Sequence, residues 1–176
     1  MKAPFFMAVL LSAGVQAAIS PQPLAEIKDV QFNSERVITA GLPTEAQFSQ
    51  LKIAGVDLVI NLIPDGNRSG HLDEASLAAS AGLDYVNIEV DWKLPTQANL
   101  QHFFTVMDAN TDKDVLVHCA ANWRASAFYY LYLLHSGTPD STELQQQVMT
   151  PWGDLNDSLS KYPQWQRLIT EAKTGL

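Results

Sequence analysis

A lone cysteine, Cys119, is the first scarcity in this chain of 176 residues, and it means that no disulfide can close within the chain. Charge is sparse as well. Only 17% of residues are charged, and 11 Lys and Arg face 19 Asp and Glu for a net charge of −8. With no basic cluster, nothing is available to neutralise a nucleic-acid backbone or an anionic lipid surface, so both drop out as partners. A glycine-rich nucleotide fingerprint and a serine-centred esterase elbow are missing. So is any paired ligand spacing. His71, His102 and His135 are scattered, which speaks against a metal centre. Repeats and low-complexity linkers are absent, and past residue 18 no apolar run approaches the roughly 18 residues that a bilayer-spanning helix needs.

What remains is a chain able to bury a core, with 47% hydrophobic residues, in a length suited to one domain. Lys2, the apolar run from Phe5 to Leu11 and the small residues ending Val15-Gln16-Ala17 have the layout of a secretory signal peptide. The reading is a leader over 1–18, a single domain over 19–176, and export, in a bacterium to the periplasm. A thiol left unpaired in an oxidising compartment is either buried and inert or kept for its reactivity.

Strand and helix patterns alternate through the rest. Val37 to Ala40 reads as a strand, and Gly41-Leu42-Pro43 turns into a helix. Thr44 and Gln47 there have capping-box spacing, with Gly55 as the stop. Asp57 to Ile63 is a nearly continuous apolar run of the kind a strand buried on both faces needs. A helix over 72–81, a strand over 84–90 and a helix after Pro95-Thr96 follow, the last with Leu100, Phe103, Phe104 and Met107 at helical spacing. Asp114 to Val117 reads as a strand, Arg124 to His135 as the central buried helix, and helices near 142–149 and 162–173 close the chain. Alternation of this kind predicts an α/β fold, a three-layer α/β/α arrangement around a mainly parallel sheet.

The chemistry concentrates in Val117-His118-Cys119-Ala120-Ala121-Asn122-Trp123-Arg124-Ala125-Ser126. A buried strand ends, a cysteine follows at its carboxyl edge, and an arginine opens a helix. Ligands of open parallel sheets bind at that edge. A helix start offers unpaired amides and a partial positive charge, which favour an anion and equally a thiolate. The Arg124 fork matches two oxygens of a phosphate. Asn122 suits a left-handed turn in a loop without glycine. Trp123 either walls a substrate or packs under the loop. Arg68, in the loop after the strand over 57–63, is a weaker anion-holding candidate against a solvated turn.

These residues resemble the cysteine-dependent protein tyrosine and dual-specificity phosphatase superfamily, in particular small bacterial dual-specificity-like domains. The resemblance runs roughly over 37–134 and is carried by Ile38-Thr39-Ala40-Gly41-Leu42-Pro43-Thr44, Leu58-Val59-Ile60-Asn61-Leu62 and Val117-His118-Cys119. It implies a phosphatase-like fold, a phosphorylated small molecule or protein as substrate, and no cofactor. In the implied reaction Cys119 attacks phosphorus to give a thiophosphoryl enzyme. Arg124 and the loop of Ala120, Ala121, Asn122 and Trp123 hold the oxygens, and Asp91, 28 positions before the cysteine, is the general acid. His118 supports the loop, and Ser126 donates to the sulfur, one place later than the family puts that hydroxyl. One departure bears on function. Four residues separate Cys119 from Arg124 where the common phosphatase loop has five, and four is the spacing of many rhodanese-like sulfurtransferases. Three readings stay open: a phosphatase, a persulfide-handling sulfurtransferase, and an inactive anion-binding module.

Overall fold

Residues 18–175 are described by the structure, a computed structural model. The leader predicted over 1–18 lies outside the described residues apart from Ala18. Five strands form one sheet: β1 (Gln31–Phe32), β2 (Val37–Ala40), β3 (Leu58–Asn61), β4 (Asp84–Asn87) and β5 (Val115–His118), in the spatial order β1-β2-β5-β3-β4. The last four run parallel, and β1 lies antiparallel on the edge beside β2. Among the described residues seven α-helices accompany them: α1 (Glu45–Ile53), α2 (Glu74–Ser80), α3 (Gln97–Asp108), α4 (Trp123–His135), α5 (Thr142–Val148), α6 (Leu155–Lys161) and α7 (Pro163–Gly175).

Side chains alternate across each strand, so the sheet feeds two cores. Ile38, Val59 and Leu116 pack with Phe48 and Leu51 of α1 and Ala78 of α2. Leu58, Ile60, Val115 and Val117 pack on the other face with Phe103 of α3, Phe128 of α4 and Trp165 of α7. This is the predicted α/β/α arrangement. The helix bounds follow local chemistry. Gln47 Oε1 accepts the Thr44 N–H at 2.8 Å at the start of α1, and Gly55, at φ 101°, takes the left-handed position past its end.

The strands predicted over 57–63 and 84–90 are shorter in the structure. Pairing between β3 and β4 stops at Asn61 and Asn87, because side chains take over there. Asn61 Oδ1 accepts the Ile63 N–H at 2.8 Å, and Asn87 Nδ2 donates to Ile63 O at 2.8 Å. Among the described residues no helix is long and apolar enough to cross a membrane.

Candidate active site

β5 is buried along its whole length, and it delivers the chain to Cys119, whose N–H donates to Ala40 O at 3.2 Å. The next turn is made by Asn122, at φ 60° and ψ 2°. An asparagine thus supplies the left-handed geometry for which a glycine is usual. The first intrahelical bond of α4 runs from Ser126 N–H to Asn122 O at 3.0 Å. The amides of Trp123, Arg124 and Ala125 before it are the orphan donors of a helix start. Over this loop lies a cavity of about 230 Å³ lined by Cys119, Ala120, Ala121, Arg124, Trp92, Trp123 and Tyr162. Cys119 is otherwise enclosed, with 2% of its surface exposed.

Arg124 is buried, and its Nη1 donates to Leu62 O and to Val90 O, both at 2.9 Å. These carbonyls lie just past the ends of β3 and β4, so one guanidinium nitrogen ties the carboxyl edges of two neighbouring strands. A guanidinium has five N–H donors, and two on Nη1 are used, leaving the three on Nη2 and Nε. The fork is thereby held rigid at the cavity wall.

Behind the loop, His118 is fully buried and its Nε2 donates to Glu74 Oε1 at 2.7 Å. Glu74, in the first turn of α2, is itself buried. Burial raises the nearby Tyr85 hydroxyl to about 12, with the Glu74 carboxylate adding to the effect. The Tyr85 hydroxyl accepts the Asn61 Nδ2–H at 3.0 Å, and His118 is the side-chain partner of Glu74. Sequence reasoning did not single out Glu74, since a helix-start glutamate normally faces water and its partner lies 44 positions away.

The other candidates are placed as follows. Trp123 is half-buried; it lines the cavity and stacks on Trp152 at 5.0 Å between ring centroids. Trp92 and Tyr162, which the sequence did not single out, complete an aromatic rim, with centroids 5.0 Å apart. Ser126, predicted to donate to the sulfur, is bonded instead through Oγ to Trp123 O at 3.2 Å. One residue beyond the family position, it sits inside the helix and bonds back along it. Asp91 is exposed and outside the lining, its Oδ1 accepting the Lys93 N–H at 2.8 Å. It directly follows Val90, whose carbonyl Arg124 holds. Arg68 is exposed and also outside the lining. Among the described residues no three His, Cys, Asp or Glu side chains gather as a metal site.

No family model matches the chain. Among solved structures, a protein of Shewanella putrefaciens CN-32 described as "Putative phosphatase (DUF442)" is 47% identical, with a TM-score of 0.81 over 89% of this chain and 98% of that one. TpbA of P. aeruginosa shares the fold, with a TM-score of 0.63 at 18% identity over 90% of this chain and 94% of that one. Among curated proteins, a "Beta-lactamase hydrolase-like protein" of Agrobacterium fabrum is 36% identical over 132 residues, 73% of this chain. The chain spans only 30% of the length of that relative. With Cys119 at the end of the central strand and Arg124 opening the next helix, the chain belongs to the DUF442 family of putative phosphatases represented by the Shewanella putrefaciens protein, and it has the fold of TpbA.

Proposed function

We propose that the chain hydrolyses phosphomonoesters of aromatic alcohols through a thiophosphoryl intermediate on Cys119. One observation carries this reading: Cys119 and Arg124 line a single cavity whose rim is made of Trp92, Trp123 and Tyr162. The thiolate attacks phosphorus as the bond to the aryl oxygen breaks. The loop amides and the free donors of Arg124 stabilise the oxygens where charge develops. Asp91 gives its proton to the leaving oxygen, then takes one from the water that attacks phosphorus and returns the thiolate. For this the loop after Val90 swings inward from its position in the structure, hinged on the carbonyl that Arg124 holds. A solved structure of P. aeruginosa TpbA holds phosphotyrosine, and a flat phenol is the leaving group that the aromatic rim suits.

The test is hydrolysis of p-nitrophenyl phosphate and phosphotyrosine, run beside sulfur transfer from thiosulfate to cyanide. Phosphate release abolished by Cys119→Ser is the expected result, whereas release that survives it removes the thiol mechanism. Asp91→Asn slows phosphotyrosine more than p-nitrophenyl phosphate, because only the poorer leaving group needs the proton. Equal losses on both exclude Asp91 as the acid.

The four-residue loop and a cavity lined without a carboxylate favour a second reading, since moving a sulfane sulfur to an acceptor needs no proton for a leaving oxygen. Thiocyanate formation without phosphate release decides for it. Export is the companion proposal: the leader is removed near residue 18, leaving 19–176, which N-terminal sequencing of the secreted protein checks.

A further inference from the structure

Among the described residues, two other than glycine sit at positive φ: Asp29 at 48° and Asn122 at 60°. They are bonded to each other. Asn122, fully buried in the cysteine loop, donates through Nδ2 to Asp29 O at 2.7 Å and to Gln31 Oε1 at 3.3 Å. Beside them, Lys28 Nζ donates to Ala120 O at 3.2 Å, and Lys28 O accepts the Gly41 N–H at 2.7 Å. Gly41 lies between the two segments. A Cβ on it would stand 3.0 Å from Lys28 O, 3.1 Å from Lys28 Cγ and 3.2 Å from Ala120 O. A side chain there would push strap and loop apart by a few tenths of an ångström, so glycine gives segment 28–31 its close approach to the loop. Left-handed backbone at two non-glycine residues costs free energy, and Asn122 Oδ1 is also buried without a partner. Strain of this kind persists only where the surroundings over-determine it, and such outliers cluster at working sites.

We propose that Lys28–Gln31 is a strap that presets the short cysteine loop for an oxyanion, with Asn122 and Lys28 as positioning residues. The tether to Asp29 holds Asn122 in the left-handed turn that a loop glycine would take unaided. Lys28 and the Leu42 N–H, at 3.5 Å, engage the Ala120 carbonyl. That dipole is thereby kept from turning toward bound anion, whose charge it would repel. The role of Gly41 in the Ala40-Gly41-Leu42-Pro43 run follows from the same contact: it is the spacer across which strap and loop meet.

The proposal's kinetic arm rests on the reading of Cys119 as nucleophile; its second arm does not. Asn122→Gly keeps the left-handed turn and deletes the tether. Its kcat/KM for p-nitrophenyl phosphate falls about tenfold, the worth of one buried hydrogen bond. Lys28→Met loses about threefold, because solvent competes at an exposed amine, and Lys28→Arg restores it. In the full chain, hydrogen exchange at the amides of 119–124 accelerates in Asn122→Gly and Lys28→Met, while peptides from α3 and α7 exchange as in wild type. Unchanged exchange and unchanged kcat/KM in both variants overturn the strap. So does acceleration spread evenly over every peptide, which is loss of global stability alone. A wild type that hydrolyses nothing, combined with loop-confined acceleration in the variants, keeps the strap and removes the phosphatase reading.

Discussion

Glu74 carries a carboxyl group into the interior, where it has one side-chain partner. Its Oε1 bonds His118 Nε2 at 2.7 Å, and removal of the carboxyl group leaves the buried imidazole with nothing to bond. Glu74→Ala is therefore expected to cost about 1–3 kcal/mol in urea unfolding, the range for an unsatisfied buried group. It also lowers kcat, because the histidine it orients precedes Cys119. Asp114 works in the opposite direction. Its side chain is nearly inaccessible, one carboxyl oxygen has no partner, and Arg36 stands 3.9 Å off. Burial pushes its pKa up, with the Asp57 charge adding to the shift and Arg36 opposing it. A raised carboxyl pKa means that the folded chain binds the proton more readily than the unfolded one. The charged form thus costs stability at neutral pH, and the cost shrinks as pH falls through the raised value. Asp114→Asn is expected to stabilise the protein by about 1 kcal/mol at pH 7. The gain disappears below the ordinary value near 3.8, which unfolding curves at the two pH values compare.

At the scale of elements, the local signals and the tertiary ones separate. α3 begins with a reciprocal cap: Thr96 Oγ1 accepts the Asn99 N–H at 3.1 Å, and Asn99 Oδ1 accepts the Thr96 N–H at 3.2 Å. Thr96→Ala is expected to cost about 1 kcal/mol of unfolding free energy, read by urea denaturation. Where the signal was local, the sequence sufficed. Val37–Ala40 has its predicted bounds, and the apolar spacing of α3 marks its buried face. Helix α6 was missed although Asp154 caps it, accepting the Asp157 N–H at 3.0 Å. Its seven residues carry one buried side chain, Leu159, too few for periodicity to register. β1, two residues long, has no pattern to read; neighbouring β2 makes it a strand. The ends of β3 and β4 were misjudged because the Asn61 and Asn87 side chains, together with an arginine from α4, claim backbone groups that a longer ladder would have used.

Across the whole molecule, the site divides in the same way. The Cys119–Arg124 segment was legible because strand, loop and helix start are contiguous. Trp92, Tyr162, Glu74 and Lys28 were not, because topology brings them in from four separate segments and nothing in their neighbours announces it. Arg124 shows how far one such convergence reaches, since it joins α4 to the chain after both β3 and β4. A lysine there has a single ammonium and no planar fork. Arg124→Lys is expected to lower kcat/KM by about a hundredfold or more, as for a lost oxyanion donor. It also costs about 1–3 kcal/mol of stability for the carbonyl left unpaired. Steady-state kinetics and denaturant midpoints on one preparation check both.

The chain has four tryptophans, and Trp123, Trp152 and Trp165 each lie within 5.7 Å of Trp92. The indole emission of the protein therefore comes from one cluster, two of whose members wall the cavity over Cys119. A ligand entering there can be titrated on the unlabelled native protein by the light it quenches.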